Sequence, residues 1–267
     1  MEKIAIVGMG FMGSAVARAL RRSRPEIKLA MVEKDPAARD SASRDLGVLD
    51  YSSTPEDIWE WAELVVLAFK PQDIEAARES LFPKGVKKHS RPVVSILAGT
   101  PIRTISDLFG TGQVTRMMPN LAADLGKSVV GVSFAPPMDE AARRAVLGTF
   151  AGLGTLLEIP ERSMAAITGL CGSGIAFVFE FINALALGGV EQGLPYSQAL
   201  PAALDVVESA ALLLRESGVH PEEMVSRVCS PAGTTIAGVR ELAEGRLKAT
   251  VMRAVNAAAM RSRELEG

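Results

Sequence analysis

The first half of the chain alternates short apolar runs with longer polar segments of helical periodicity. Continuous apolar runs are typical of strands buried on both faces of a parallel sheet. A helix is predicted over residues 139–151, between the last two strands. Strands separated by helices favour a doubly wound parallel sheet, whose strand-to-helix loops meet along one edge. The predicted strands are Lys3–Val7, Lys28–Val32, Glu63–Phe69, Pro92–Leu97, Gln113–Met118, Ser128–Phe134 and Thr155–Ile159.

From Pro160 onward the pattern changes to long apolar helical runs. The segment Ala202–Leu214 carries only two charges, Asp205 and Glu208, so a helix there has almost no polar face for solvent. Such helices are expected to bury their faces against a second copy of the chain. The predicted fold is therefore an α/β Rossmann-type doubly wound sheet in residues 1–159, followed by an all-helical dimerisation domain in residues 160–267. The predicted helices are 172–192, 195–217, 221–228, 234–244 and 247–264.

The composition is that of a globular protein with no strongly charged partner. A net charge of −2 gives no basic surface for nucleic acid or an anionic membrane. The uncharged run Ser163–Phe179 falls short of the roughly 20 residues of a membrane span and predicts a buried helix of a soluble protein. The chain enters a strand at once, without a leader segment, and Cys171 and Cys229 are far apart, which together favour the cytoplasm. His89 and His220 are also isolated, so no metal site is expected.

The first strand runs directly into Gly8-x-Gly10-x-x-Gly13 and then into a helical pattern. In this arrangement Gly8 permits the tight turn, Gly10 lets the backbone approach a pyrophosphate, and Gly13 allows helix and strand to pack closely. Glu33 ends the second strand, where a carboxylate accepts hydrogen bonds from the adenosine ribose of NAD. The motif thus predicts a dinucleotide site; a glycine-rich turn of some other α/β protein is the alternative.

The cofactor is predicted to be NADH or NADPH, with a preference for NADH. The Glu33 carboxylate repels the 2′-phosphate of NADPH, although the adjacent Lys34 reduces that repulsion unless it is only a solvated surface charge. Lys70 follows a buried strand at the same edge and is expected near the cofactor. The predicted cofactor-binding residues are Gly8, Gly10, Phe11, Met12, Gly13, Glu33, Lys34, Ala68, Phe69, Lys70, Pro71, Leu97, Ala98 and Asn120.

A second informative stretch is Cys229–Val239, where a Ser-Pro turn leads into a helix near Thr234. The backbone N–H groups of Gly233, Thr234 and Thr235 can converge there on a small anion such as a carboxylate. Taken alone, this stretch is better explained as an ordinary helix N-cap, because Ser and Thr are favoured at that position.

In combination, these motifs resemble the pyrroline-5-carboxylate reductase family over nearly the whole chain. The most specific segment is the last, which is similar to the family's Ser-Pro-Gly-Gly-Thr-Thr signature. The matching motifs are Gly8-x-Gly10-x-x-Gly13, Ala68-Phe-Lys70-Pro-Gln72, Ser95-Ile-Leu-Ala-Gly99, Arg116-Met-Met-Pro-Asn120, Gly172-Ser-Gly174, Phe177-Val-Phe179 and Ser230-Pro-Ala-Gly-Thr-Thr-Ile-Ala237.

The resemblance implies hydride transfer from NAD(P)H to the C=N carbon of 1-pyrroline-5-carboxylate, which gives L-proline. It implies that Thr235 hydrogen-bonds the substrate near its nitrogen, as the catalytic residue, and that the amides of the preceding turn bind the substrate carboxylate. It also implies a homodimer whose helices complete the cleft at the nucleotide edge, with a larger ring of dimers allowed. The substrate-binding residues implied are Asn120, Ser230, Ala232, Gly233, Thr234 and Thr235.

Several departures from the family pattern fall near the implied substrate site, which leaves a related imino acid, such as a six-membered ring, as an alternative substrate. A β-hydroxyacid dehydrogenase is a second alternative. That class uses a lysine in a Gly-rich helix of its second domain as acid/base, whereas Lys248, the only lysine of the helical region, lies in an Ala/Met-rich helix, which argues against this alternative. A non-catalytic dinucleotide-binding regulatory protein is a third. The departures are Leu121-Ala122 for Thr-Pro, Ile175 for Pro, Phe177 for Tyr, Asn183 for Glu, Leu187 for Asp and Ala232 for Gly.

Overall fold

The computed structural model describes residues 1–136 and 138–266, and these form two units. The first comprises Met1–Ser173 with the chain from Ala257 onward, and the second is Gly174–Asn256. An eight-stranded sheet lies at the centre of the first unit. Its strands are β1 (Lys3–Val7), β2 (Lys28–Val32), β3 (Leu49–Asp50), β4 (Leu64–Leu67), β5 (Val93–Ser95), β6 (Val114–Met118), β7 (Ser128–Phe134) and β8 (Gly154–Glu158).

The strand order is β3-β2-β1-β4-β5-β6-β7-β8, so β1 lies between β2 and β4. All seven predicted strands are present, whereas β3 was not predicted because two residues carry no usable pattern. Helix α5 was also not predicted. The helices of the first unit are α1 (Phe11–Ser23), α2 (Pro36–Leu46), α3 (Ile58–Trp61), α4 (Ile74–Leu81), α5 (Ile102–Phe109), α6 (Glu140–Phe150) and α7 (Met164–Ile167).

The prediction of an all-parallel sheet is wrong at one end. Strands β1 to β6 are parallel, but β7 pairs with β6 in the antiparallel sense, and β8 then runs parallel to β7. The link between β6 and β7 holds only one short 3₁₀ helix, Leu121–Leu125. A parallel crossover needs roughly a dozen residues or more, usually with an α-helix, so this link can only reverse the chain. The loops after β1, β4, β5 and β6 nevertheless share one edge of the sheet.

Both faces of the sheet are buried, which explains the continuous apolar runs. Ile4 and Ile6 of β1 belong to one core cluster, while the alternating Ala5 and Val7 belong to the other. Alternate side chains of a strand point to opposite faces, so a strand covered on both sides has no polar positions. Each fully buried Ile or Leu contributes about 1.5–3 kcal/mol of transfer free energy.

One charged side chain is buried in this sheet. Arg116 of β6 has only 1% of its side chain exposed and donates to Glu161 Oε1 at 3.3 Å and to Glu266 Oε1 at 2.6 Å. Glu161 also accepts from the backbone N–H of Ile102, at the start of α5. A buried guanidinium needs such partners, because leaving it unpaired is strongly destabilising. Arg116 therefore ties the end of the chain to the sheet unit.

The regular secondary structure described in the second unit is all helical. Helices α8 and α9 pack against each other through a small core of Ile182, Ala186, Ala199 and Ala203. The helices are α8 (Gly174–Glu191), α9 (Tyr196–Ser217), α10 (Pro221–Val228), α11 (Thr234–Glu244) and α12 (Leu247–Leu265), the last of which extends into the first unit.

Most of the apolar surface of α8 and α9 is exposed. The segment Glu161–Glu191 and helix α9 are each long and apolar enough to cross a membrane by length and composition, and little of either is buried within the chain. The prediction of a buried helix at Ser163–Phe179 is therefore wrong for the chain alone: Leu170, Val178 and Phe179 are exposed. This surface is the face that was expected to pack against a second copy.

The two units do not divide at residue 160, where the strand pattern ends. Residues Glu161–Ser173, including α7 and a π-helical turn at Thr168–Gly172, belong to the sheet unit. The physical reason is visible in their contacts, since Glu161 pairs with Arg116 and Ile167 packs closely against Gly131 of β7.

Candidate functional site

The glycine loop connects β1 to α1, and two of its glycines are required by its own geometry. Gly8 has φ +95°, and an added Cβ would lie 2.7 Å from the backbone nitrogen of Phe69. At Gly13 an added Cβ would lie 2.0 Å from the carbonyl oxygen of Gly8. Both positions therefore exclude any side chain, as the sequence motif predicts.

Gly10 differs from its two neighbours in the motif. Its φ of −63° suits any residue, and an added Cβ would meet no protein atom within 4 Å. Nothing within the protein requires a glycine here. The open space above the Gly10 backbone is what a closely approaching pyrophosphate would need.

Helix α1 begins immediately after Gly10 and has no side-chain cap. The first N–H groups of an α-helix lack partners within the helix, and the helix dipole favours negative charge at this end. Phe11 is 67% exposed beside these groups, and Met12 is half-buried. The start of α1 is thus chemically suited to a diphosphate.

Glu33 lies beside this loop and is held in place by two backbone N–H groups. Its Oε2 accepts from Met9 at 2.5 Å and its Oε1 accepts from Asp35 at 2.8 Å. The carboxylate is half-buried and points towards the glycine loop, where the ribose of a dinucleotide was predicted to lie.

Lys34 is not a freely solvated lysine. Its ammonium donates to Asp73 Oδ2 at 3.0 Å, although 80% of the side chain is exposed. Asp73 ends the 3₁₀ helix Pro71–Asp73, which follows β4. Lys70 precedes that helix and is exposed. Lys34 and Asp73 therefore join the loops on the two sides of β1.

The other predicted cofactor residues lie on the loops after β4 and β5, at the same edge. Ala68 and Phe69 are half-buried against the core clusters, and the N–H of Ala68 donates to the carbonyl of Val7 at 2.8 Å. Leu97 is 1% exposed and belongs to the core, whereas the next residue, Ala98, is half-buried.

Asn120, on the loop after β6, takes part in three hydrogen bonds within the protein. Its Oδ1 accepts from the N–H of Ala122 at 3.0 Å and caps the following 3₁₀ helix. Its Nδ2 donates to the carbonyl of Cys171 at 2.9 Å, within the π-helical turn, and its N–H donates to Ser128 Oγ. Asn120 thus joins the β6 loop to the segment preceding α8. Burial raises the pKa of the Cys171 thiol, which stays protonated at neutral pH.

In the second unit, residues Ser230–Gly233 form a tight turn. The carbonyl of Ser230 accepts from the N–H of Gly233 at 3.0 Å, and Ala232 has φ +55°. Pro at the second position and a positive φ at the third are the features of a type II turn. Glycine is the usual residue at that third position, which gives a physical reason for the family's Gly where this chain has Ala232.

Helix α11 follows the turn, beginning at Thr234 with no side-chain cap. Thr234 and Thr235 are exposed, so their hydroxyls and the first N–H groups of the helix are open to a ligand. An anion such as a carboxylate suits this position. Elsewhere in this unit, Asn183 accepts from the Tyr196 hydroxyl at 3.1 Å.

Comparison with known proteins finds similar sequences for both the N-terminal and the C-terminal part of the chain. Residues 161–265 match the family model described as pyrroline-5-carboxylate reductase dimerisation, and residues 3–99 match NADP oxidoreductase, coenzyme F420-dependent. The pyrroline-5-carboxylate reductase of Aquifex aeolicus is 35% identical over 98% of this chain and 97% of its own length. That of Arabidopsis thaliana is 36% identical over 98% and 95%. The chain belongs to the pyrroline-5-carboxylate reductase family.

Solved structures of pyrroline-5-carboxylate reductases have the same fold. The Streptococcus pyogenes enzyme aligns with a TM-score of 0.89 at 27% identity, covering 98% of both chains. The Plasmodium falciparum enzyme, solved with NADP bound, also gives 0.89, at 24% identity and 100% coverage. These relatives confirm the predicted fold class, the reductase function and the class of oxidoreductase acting on a C=N group, in preference to the hydroxyacid dehydrogenase alternative. The match of residues 3–99 to an NADP oxidoreductase model agrees with the predicted class of cofactor, a nicotinamide dinucleotide.

The sequence did not indicate the partners of several of these residues. Asp73 is one, because it pairs with Lys34 across 39 positions of the chain. The carbonyl of Cys171, which holds Asn120, is another. A Pro-x-Asp segment directly after a buried strand marks a helix start, but no local pattern shows which cation its carboxylate contacts.

Proposed function

We propose that this reductase family member converts 1-pyrroline-5-carboxylate to L-proline, with residues 1–159 binding the nucleotide and residues 160–267 binding substrate and forming the dimer. The observation that carries the nucleotide assignment is the contrast among the three loop glycines. Gly8 and Gly13 are required by packing, while Gly10 borders open space beside an uncapped helix start.

The dinucleotide would be held by the glycine loop, the start of α1, and the loops after β4, β5 and β6. Glu33 would accept hydrogen bonds from the adenosine ribose hydroxyls, and its charge makes NADH the preferred cofactor. When bound, the reduced nicotinamide supplies the hydride. Because the substrate reacts as the protonated imine, hydride addition to its C=N carbon gives the amine directly, so the chain needs no general acid at this step and only has to hold hydride donor and acceptor in position.

The substrate carboxylate would bind the N–H groups at the start of α11, next to the turn containing Ser230, Ala232 and Gly233. Thr235 would place its hydroxyl at the imine nitrogen. Asn120, on the loop after β6, is the substrate-binding residue that the family resemblance implies in the first unit. The exposed turn and the uncapped helix start are the features that support this assignment.

The exposed apolar faces of α8 and α9 would be covered in a homodimer, and a larger ring of dimers is compatible with this proposal. Covering them in this way is compatible with the soluble, cytoplasmic protein expected from the sequence. Sedimentation of the purified protein in buffer without detergent tests the assembly, and a chain that needs detergent to remain in solution would contradict it.

The activity is tested by following oxidation of NADH, and separately NADPH, with pyrroline-5-carboxylate as substrate. Thr235→Ala should lower kcat about 10- to 100-fold, the worth of a hydrogen bond to a charged group, without changing the Kd of the nucleotide. Thr235→Ser should retain most activity, and Thr250→Ala, an exposed threonine of α12, serves as the control. Wild-type kcat in Thr235→Ala would refute the substrate placement. Nucleotide binding without turnover would favour the six-membered imine or the regulatory alternative.

A further inference from the structure

The ion pair between Lys34 and Asp73 lies near the predicted position of the adenosine ribose, where NADPH carries a 2′-phosphate and NADH does not. Strand β1, which leads into the glycine loop, has β2 and β4 as its neighbours. Lys34 follows β2 and Asp73 follows β4, and their charged atoms are 3.0 Å apart. The pair therefore links the two loops that border the glycine loop, next to the residue predicted to contact the adenosine ribose.

Glu33 cannot easily move away from an incoming 2′-phosphate. Both of its carboxylate oxygens accept backbone hydrogen bonds, from Met9 and from Asp35. Moving the side chain would leave the N–H of Met9, a buried residue, without this partner. Accommodation of NADPH must therefore depend on a nearby cation that offsets the Glu33 charge.

Lys34 is the cation adjacent to Glu33 in the chain, but its charge is already matched by Asp73. The Asp73 side chain is only 31% exposed, against 80% for Lys34, so the carboxylate is the more fixed partner. We infer that Asp73 is a specificity-determining residue that lowers affinity for NADPH by engaging Lys34. This inference rests on the proposed nucleotide site and extends it to a residue outside the predicted set.

Asp73→Asn tests the inference, because the amide keeps the shape of the side chain and removes its charge. The Kd values of NADPH and NADH are measured by fluorescence titration at low salt. Asp73→Asn should tighten NADPH binding about three- to fivefold, within the range of an exposed ion pair that no longer engages Lys34, and change NADH less than twofold. The gain should shrink at high salt, because exposed charges are screened.

Two further variants make the result specific. In Lys34→Met with Asp73→Asn, the gain for NADPH should disappear, since no ammonium is left to release. Asp57→Asn is the matched control: Asp57 ends a 3₁₀ helix of the same Pro-x-Asp type, Pro55–Asp57, and should change neither Kd.

An unchanged NADPH Kd in Asp73→Asn, an equal gain for both nucleotides, or a gain that persists in the double variant would each overturn the role of Asp73. A wild type that binds neither nucleotide would instead overturn the proposed nucleotide site, and this inference with it.

Discussion

Replacing Gly10 by alanine should separate cofactor binding from folding. The methyl group would enter open space, and the φ of −63° is one that alanine adopts readily. Loss of a glycine stabilises a folded chain by about 0.4–1 kcal/mol through the unfolded state. Alanine is a poorer N-cap than glycine, which removes a similar amount. The free energy of unfolding should therefore change by less than about 1 kcal/mol.

Cofactor affinity should respond differently. If the pyrophosphate approaches the Gly10 backbone, the methyl group must push it away, at a cost of at least about 1.4 kcal/mol, which is a tenfold rise in Kd. Gly13→Ala provides the contrast, because its methyl would lie 2.0 Å from the Gly8 carbonyl oxygen. Such overpacking costs about 1–3 kcal/mol and lowers Tm by several degrees.

Thermal unfolding without cofactor and nucleotide titration together test this reasoning on Gly10→Ala, Gly13→Ala and Gly148→Ala. Gly148 lies in α6, is exposed, and has no atom within 4 Å of an added Cβ, so its variant controls for the glycine effect alone. Nucleotide binding by Gly10→Ala that equals that of Gly148→Ala would refute the assigned position of the pyrophosphate. A Tm loss in Gly10→Ala as large as that in Gly13→Ala would refute the packing argument.

Two other expectations concern stability. Ala232→Gly should stabilise the protein by up to about 1 kcal/mol in thermal unfolding, because the strain of φ +55° in alanine, about 1–2 kcal/mol, exceeds the entropic cost of glycine; a lower Tm would show that the turn is not strained. Burial lowers the pKa of His89, so the unfolded state binds the proton more readily, and stability should fall as the pH drops below about 6.5. His89→Asn keeps an acceptor for the N–H of Arg91 and should lose less Tm between pH 7.5 and 5.5 than the wild type; equal losses would exclude His89 as the cause.

Much of the sheet was predictable because each buried strand is a short apolar run between polar segments. The apolar pattern alone did not indicate the reversal at β7, since the pattern of Ser128–Phe134 is the same in either direction. Direction depends on the length of the connection, and the residues between Met118 and Ser128 are too few for a parallel crossover. Counting them would have corrected the prediction.

The backbone of the candidate site was predictable where one short motif determines it, as at Gly8, Gly13 and the Ser230 turn. Contacts between distant side chains were not. Asp73 reaches Lys34, and Asn120 reaches the carbonyl of Cys171, only because the sheet brings separate loops to one edge. The residue types indicate that these charged and polar side chains need hydrogen-bonding partners. The topology of the sheet determines which partners lie within reach.

The apolar composition of helices α8 and α9 indicates more burial than a single chain provides. Helices α8 and α9 share a core of only Ile182, Ala186, Ala199 and Ala203, while larger side chains such as Phe181 and Leu213 face outward. Large apolar side chains gain the most free energy from removal from water, so a surface that leaves phenylalanine and leucine exposed is expected to be covered by another protein surface. Since residues 161–265 match a dimerisation model, we expect this exposed apolar face to pack against another copy of the chain.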